Sequence, residues 1–194
     1  MARIAVGNNN AFKYLSKRLQ NNKDIALSAV KKSGSELIFA SPSLRDDKEL
    51  VKAAAIQYPN ILNQVAEKFR KDDGFMRSII EANGDAITLA SAKLKDDKNL
   101  AIKSFLRPTM GITILQSLSD RLRDDEDVVE AAVKINQAYL SSASKRIKSD
   151  KKSALKLLSI CHYPHMCVKD LSAELQQDPE ILDLVKRREK TSRN

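Results

Sequence analysis

Apolar residues return at intervals of three and four along most of the chain, in short blocks separated by polar turns. Leu50 and Val51 are followed by Ala54 and Ala55, and the other blocks repeat this spacing. Such spacing places the apolar side chains on one face of an α-helix. The pattern therefore predicts a chain built from short amphipathic helices.

The blocks belong to an internal repeat of 25 or 28 residues. Each repeat is numbered from a large apolar residue, which we call the anchor. The seven anchors are Leu19, Leu44, Phe69, Leu94, Leu122, Ile147 and Leu175. Three residues after each anchor comes an Asn or Asp, whose side chain can accept hydrogen bonds from the N–H groups of a first helical turn. We expect a helix to begin after each of Asn22, Asp47, Asp72, Asp97, Asp125, Asp150 and Asp178.

Each repeat is predicted to contain two helices. Helix A follows the cap, spans about ten to twelve residues and ends at a breaker such as Gly34 or Pro59. A shorter helix B leads to the next anchor and carries an apolar residue, a small residue and usually Ser, as in Leu37-x-x-Ala40-Ser41. We expect the Ala and Ser to let helices approach closely; a functional row of serines is the alternative.

Helices this short are not stable alone in water, so the repeats must pack on one another. We predict an all-α fold, an α-solenoid of about seven short helical hairpins, forming a curved rod on the order of 60–70 Å long. The predicted organisation is an N-terminal extension over 1–9, a single repeat domain over 10–188, and a frayed basic tail over 189–194. The longer repeats carry their extra residues around Arg107–Gly111 and His162–His165.

The amino-acid composition excludes several classes of protein. Five Gly and five Pro are too few for the turns of an all-β fold, and no apolar run approaches the ~20 residues that cross a bilayer. Met1–Gly7 is too short for the core of a signal peptide, and two Cys do not make a disulfide framework. These features predict a soluble cytoplasmic protein without a transmembrane segment.

The repeat consensus is L-[KR]-[DN]-D-x-x-[LIV]-[AV]-x-x-A-[VA], then G, then A-L-x-[YFL]-A-S-x-x-L. It resembles an uncharacterised family of short helical repeats, the domain of unknown function four-one-one-six. The best copies are Leu19–Ser41, Phe69–Ser91, Leu94–Phe105 and Leu122–Ser144, with weaker copies over Asn10 to Arg188. The resemblance implies no assigned activity. It implies an interaction module, such as a secreted effector or inhibitor that acts on a host or rival complex. Such a protein would be delivered into another cell's cytosol by an unconventional signal.

Paired aspartates recur next to the anchors, at Asp46-Asp47, Asp72-Asp73, Asp96-Asp97 and Asp124-Asp125. Paired carboxylates can serve acid–base catalysis or bind a metal ion. Four equivalent dyads on one repeat array have no chemical logic, whereas one Asp of each pair is placed to cap a helix. We therefore predict a structural role for the pairs.

Cys161, His162, His165 and Cys167 are the one cluster of soft metal ligands in the sequence. Their spacing matches no familiar zinc site, and Pro164 places them at the turn of the sixth repeat. They are the weak candidates for a metal site, and a Cys/His nucleophile is weaker still because no oxyanion-hole motif accompanies it. We predict no metal, no cofactor and no enzymatic activity.

Charge is concentrated at the two ends of the chain, whose formal net charge is +9. Residues 1–32 carry seven basic and one acidic side chain, and residues 145–194 carry twelve and seven. Residues 33–144 carry fifteen basic against seventeen acidic side chains. The predicted contacts with a partner are Lys13, Lys17, Arg18, Lys31, Lys32, Lys145, Arg146, Lys148, Lys151 and Lys152.

These observations predict a non-enzymatic macromolecular-recognition scaffold. Its groove and basic ends would bind a protein partner with an acidic surface, by complementarity of shape and charge. Nucleic-acid binding is the alternative, because a basic surface also attracts phosphates. The aromatic content of 5% is low for the stacking platforms that read bases.

Overall fold

The computed structural model describes residues 11–106 and 113–191, in which every regular element is a helix. The prediction of an all-α chain is confirmed for these residues. The predicted extension over 1–9 and the turn around Arg107–Gly111 lie outside them.

The longest helices follow the predicted caps, and we number them α1 to α7. Their bounds are Lys23–Val30 (α1), Lys48–Gln57 (α2), Asp73–Ile80 (α3), Lys98–Phe105 (α4), Glu126–Ile135 (α5), Lys151–Ile160 (α6) and Pro179–Thr191 (α7). α1, α3 and α4 have eight residues and are shorter than expected. α7 extends to Thr191, so residues 189–191 of the predicted tail are helical, and Glu189 Oε1 lies 3.1 Å from His165 Nδ1.

All of the predicted caps are confirmed. The Asp47 carboxylate accepts a hydrogen bond from the backbone N–H of Leu50 at 3.0 Å, three residues into the helix. The same bond is made by Asn22, Asp72, Asp97, Asp125, Asp150 and Asp178. Each bond satisfies a first-turn N–H group that has no partner within its own helix.

The prediction of a continuous helix B is wrong. The segment forms a short turn helix and a separate one-turn helix that carries the anchor, which we call the anchor helix. Between them Ala40 and Ser41 are extended, with ψ angles of 157° and 154°. Ser41 Oγ accepts from the N–H of Leu44, so the serine is a cap that begins the anchor helix. A cap residue has non-helical backbone angles, and this interrupts the helix.

The anchor helices are Lys17–Gln20, Pro42–Arg45, Lys68–Lys71, Ala92–Lys95, Asp120–Arg123, Lys145–Ser149 and Ala173–Gln176. The turn helices Phe12–Tyr14, Gly34–Phe39, Pro59–Asn63, Gly84–Leu89 and Gln137–Ser142 are 3-10 helices. The turn helices Thr113–Ser117 and Pro164–Val168 are α-helical, and these two belong to the longer repeats.

The chain forms two compact units, and the first contains the described residues 11–94. In it α1 packs on α2 and α2 on α3, while the successive turn helices from Gly34–Phe39 to Gly84–Leu89 pack in the same order. Leu50 and Val51 of α2 are fully buried. Burial of a side chain of this size contributes about 1.5–3 kcal/mol before the loss of entropy is counted.

The second unit contains residues 95–106 and 113–191 of the described chain. Its long helices α4 to α7 also pack in chain order, and the turn helix Gln137–Ser142 contacts both Thr113–Ser117 and Pro164–Val168. The rings of Phe105 and Tyr139 meet edge to face in its core, with centroids 5.2 Å apart. Within each unit, then, each repeat is stabilised by the next one.

Ion pairs at the caps connect neighbouring repeats. The lysine that begins one long helix reaches the cap aspartate of the next: Lys23 Nζ lies 2.9 Å from Asp47, and Lys98 Nζ lies 2.9 Å from Asp125. Lys48 with Asp72 and Lys151 with Asp178 repeat the arrangement. The Lys23 ammonium, followed by the Leu50 N–H, holds the pKa of Asp47 below its ordinary value.

A second set of contacts uses the other aspartate of a pair. Asp124 accepts hydrogen bonds from the Ser144 hydroxyl and from Arg146 Nε, the latter at 3.0 Å. Asp96 accepts in the same way from Ser119 and Arg121. The serine also bonds through its backbone, since Ser144 N donates to Arg123 O at 2.9 Å. In both of these pairs one aspartate caps a long helix, and the other accepts from a serine and an arginine of the next repeat.

Candidate binding groove

The basic residues predicted at the N-terminal end all lie exposed on the first unit. They are Lys13, Lys17, Arg18, Lys31 and Lys32. The Lys13 ammonium stands 4.7 Å from the centroid of the Tyr14 ring, and Lys17 Nζ donates to Gln20 Oε1 at 3.2 Å. These residues occupy the first turn and anchor helices and the two positions after α1, and line none of the pockets described below.

The basic residues predicted near the C-terminal end lie on the second unit and have different roles. Arg146 and Lys151 belong to the contacts between repeats, to Asp124 and Asp178 respectively. Lys152 is exposed on α6. Lys145 and Lys148 line a groove. The structure thus separates these five residues into two repeat contacts, two groove residues and the exposed Lys152.

This groove has a volume of about 600 Å³ and lies within the second unit. Its walls come from the anchor helices Asp120–Arg123 and Lys145–Ser149 and from the end of the turn helix Gln137–Ser142. The side chains that line it include Arg123, Lys145, Lys148, Ser141, Ser142 and Ser144, with Asp120 as the acidic member. We call it the serine–lysine groove.

The serine–lysine groove has an excess of positive charge. Asp120 pairs with Arg123 three residues away. Lys148 Nζ donates to Ser141 O at 3.0 Å, a contact with a neutral carbonyl that leaves its charge in place. In the described part of the chain Lys145 forms no ion pair, and its side chain is exposed. The groove therefore offers ammonium groups to an anionic ligand, while the hydroxyls of Ser141 and Ser144 donate within the protein, to Ala138 O and Asp124.

A smaller pocket of about 190 Å³ adjoins the groove, because Ser141 lines both. Its other walls include Gln137, Met166, Lys169 and Asp170. Met166 is 52% exposed and adds an apolar surface, while Lys169 adds a further exposed ammonium. The groove and this pocket form a polar surface with one apolar edge.

A row of residues directly follows the anchors, and of these only Lys148 was among the predicted partner contacts. Lys148 reaches back seven residues to the carbonyl of Ser141, and Gln20 donates in the same way to Lys13 O at 3.0 Å. The row reads Gln20, Arg45, Arg70, Lys95, Arg123, Lys148 and Gln176 along the chain. The fixed position after each anchor could have revealed it, because five consecutive members are basic.

The soft-ligand cluster is divided by the structure. Cys161 and Cys167 are buried, with their sulfurs 3.1 Å apart. His162 and His165 are exposed, and His165 contacts Glu189. Across the described residues no three His, Cys, Asp or Glu side chains are grouped so that they could hold a metal ion. The paired aspartates likewise point to Lys, Arg, Ser and backbone partners.

Among the helices of the described residues, none is both long and apolar enough to span a bilayer.

Comparison with known proteins found a similarity in the N-terminal part of the chain. The model of a family described as "Domain of unknown function (DUF4116)" matches residues 2–45 and again residues 22–70. Searches of the curated proteins and of the solved structures found no match. The serine–lysine groove lies outside the matched residues. The predicted resemblance is confirmed over residues 2–70, where the chain is similar to the uncharacterised DUF4116 repeat.

Proposed function

We propose that this protein is a non-enzymatic recognition scaffold whose second unit binds an acidic segment of a protein partner in the serine–lysine groove. The observation that supports the proposal is the groove itself, which brings Lys145 and Lys148 together with serine hydroxyls over about 600 Å³. Repeat proteins use such surfaces, formed by equivalent positions of successive repeats, to bind extended partners.

The charged side chains around the serine–lysine groove favour an acidic ligand. The aspartates next to the anchors are paired with lysines, arginines and serines of neighbouring repeats, as in Asp124 with Ser144 and Arg146. The groove keeps the exposed cations Lys145 and Lys169 beside it. Carboxylates brought between these ammonium groups would gain charge-assisted hydrogen bonds, and the positive field would raise the rate of association.

A protein partner fits the groove better than a nucleic acid. The side chains lining the groove and the smaller pocket include no aromatic ring on which a base could stack. Met166 is exposed at the edge instead, and a flexible thioether suits apolar side chains of a peptide. An acidic segment with an apolar residue next to its carboxylates matches both features.

We also propose that the repeats of the whole chain stack as an α-solenoid, since successive long helices pack in order within each unit. We further propose that the protein acts in the cytosol of the cell that makes it, or of a cell into which it is delivered. Fractionation of producing and recipient cells tests the compartment.

The experiment on the groove uses a fluorescent ten-residue peptide of Asp and Glu with one central Leu, titrated with the full chain. Lys145→Glu combined with Lys169→Glu reverses the two exposed charges beside the groove. We expect this variant to bind the peptide at least about tenfold more weakly, because two favourable charge contacts become repulsive.

The matched control is Lys31→Glu combined with Lys152→Glu, which changes the net charge equally at two exposed residues that line neither the groove nor the smaller pocket. It should retain affinity within about twofold. An equal loss in both variants would assign binding to the general positive charge. If the protein bound a random single-stranded DNA of equal charge tightly and did not bind the peptide, the result would favour the nucleic-acid alternative.

A further inference from the structure

The two cysteines of the chain meet in the core of the second unit. Cys161 follows the end of α6, and Cys167 lies in the turn helix Pro164–Val168. Both side chains are buried, at 0% and 1% exposure, and their Sγ atoms are 3.1 Å apart. A disulfide bond has a length of about 2.05 Å, so a movement of about 1 Å along the line between the sulfurs would bring them to bonding distance.

The surroundings of the pair point to redox chemistry and away from a metal site. The nearby imidazoles of His162 and His165 are on exposed side chains, while the thiols are buried. Arg188 of α7 donates to the backbone carbonyl of Cys161 at 3.1 Å, which holds this residue against the last helix. The two thiols are thus each other's nearest reactive partner.

The pocket next to the serine–lysine groove lies beside one of the two cysteines, although both thiols are buried. Cys167 is among the residues that line this pocket, together with Met166 and Lys169. The pKa of Cys167 lies below its ordinary value, since its thiolate can accept a hydrogen bond from the Cys161 thiol. The pKa of Cys161 is raised, first by the same hydrogen bond and then by burial. Because Cys167 lines the pocket and Cys161 does not, we place Cys167 first in the exchange.

We propose that Cys161 and Cys167 form a redox modification site, at which a low-molecular-weight disulfide such as oxidised glutathione converts the thiol pair into an intramolecular disulfide. The Cys167 thiolate attacks one glutathione sulfur, the glutathione S–S bond breaks, and one glutathione thiolate leaves. The Cys161 thiol then loses its proton to solvent and attacks the mixed disulfide at Cys167, releasing the second glutathione as a thiolate. Two electrons and two protons pass in this way from the protein to two glutathione molecules.

The disulfide would close the loop from Cys161 to Cys167, which connects α6 to the turn helix. Met166 and Cys167 of this segment line the smaller pocket. Oxidation would therefore constrain the conformation of this segment, which lines the pocket next to the serine–lysine groove. Reduction would remove that constraint. This site does not depend on the proposed function, since it follows from the thiol geometry alone.

The experiment equilibrates the full wild-type chain in glutathione buffers of graded redox ratio, then blocks remaining thiols with N-ethylmaleimide under denaturing conditions. Trypsin releases Leu157–Lys169, which contains both cysteines. We expect a peptide that is about 2 Da lighter than its reduced form and carries no maleimide. After reduction the same peptide should take up two maleimides. The matched control is the same chain equilibrated in concentrated urea.

Folding holds the sulfurs together and so favours the disulfide. The ratio of reduced to oxidised glutathione at which the disulfide forms should therefore be at least about tenfold higher for the native protein than for the protein in urea. An equal or smaller value in the native protein would overturn the proposal. Accumulation of glutathione adducts on the peptide, or disulfide-linked dimers on a non-reducing gel, would overturn it as well.

Discussion

Asp47 and Lys23 show how single residues connect the repeats. Asp47 caps α2 through the N–H of Leu50, and the same carboxylate lies 2.9 Å from the ammonium of Lys23 in the preceding repeat. The cap could be predicted, because it depends on residues three positions apart. The ion pair could not, because its members are 24 residues apart and meet through the packing of α1 on α2.

At this scale we expect the protein to lose stability in acid. Neighbouring donors lower the pKa values of Asp47, Asp96, Asp124 and Asp125 in the folded chain. The unfolded chain therefore binds more protons as the pH falls. The contribution of these carboxylates is complete above the unfolded pKa of about 4 and is lost as the pH falls through the lower folded values.

Urea unfolding between pH 7 and pH 2.5 measures this effect. The free energy of unfolding should stay level from about pH 7 to pH 5 and decline below about pH 4. Glu36 acts in the opposite direction, since burial raises its pKa and its contribution is lost as the pH rises through the folded value. Unchanged stability at pH 2.5 would show that the aspartate contacts contribute nothing net.

At the scale of elements, the turn helix Gly34–Phe39 lies very close to α2. A Cβ atom added to Gly34 would stand 2.2 Å from the carbonyl oxygen of Ala54 and 3.0 Å from Cβ of Tyr58. The nearest of these atoms is backbone in a packed helix and cannot move aside easily. Glycine is therefore required here by the approach of two elements, whereas the sequence indicated it as a helix breaker.

Gly34→Ala should destabilise the protein by about 1–3 kcal/mol, because the added methyl group forces α2 and the turn helix apart. Gly74→Ala is the matched control: it lies in the first turn of α3, where the nearest atom to an added Cβ is Asp72 Oδ1 at 3.4 Å. There the change should be neutral or stabilising by up to about 1 kcal/mol. Urea unfolding of both variants checks the pair, and equal effects would contradict the close approach at Gly34.

Helix B shows the limit of local patterns at this scale. The spacing Leu37-x-x-Ala40-Ser41 reads as one helix, but the chain is extended at Ala40 and Ser41. Ser41 N donates to Gln20 O and Ser41 Oγ donates to Asn21 Oδ1, both in the preceding repeat. These distant acceptors hold the serine in an extended conformation, and an analysis of periodicity does not include them.

At the scale of the whole molecule, the proposed α-solenoid can be tested by its dimensions. A globular protein of this length would have a radius of gyration of about 16 Å. Seven stacked repeats forming a rod on the order of 60–70 Å long would raise it to about 20 Å. Small-angle X-ray scattering of the full chain distinguishes these values, and a result near 16 Å would rule out the stacked arrangement.

The repeat, its period, the helix caps and the all-α class followed from the sequence, because each depends on the type and spacing of residues within one turn or one repeat. Lys145 and Lys148 of the groove were also identified, but Arg123 and Lys169 were not, and neither was the division of the predicted residues into roles. Arg146 pairs with Asp124 while Lys145, the residue before it, lines the groove. That division, and the meeting of Cys161 with Cys167, depends on which side chains the packed helices bring together. Tertiary structure decides such contacts, because the distances between residues far apart in sequence are set by helix packing.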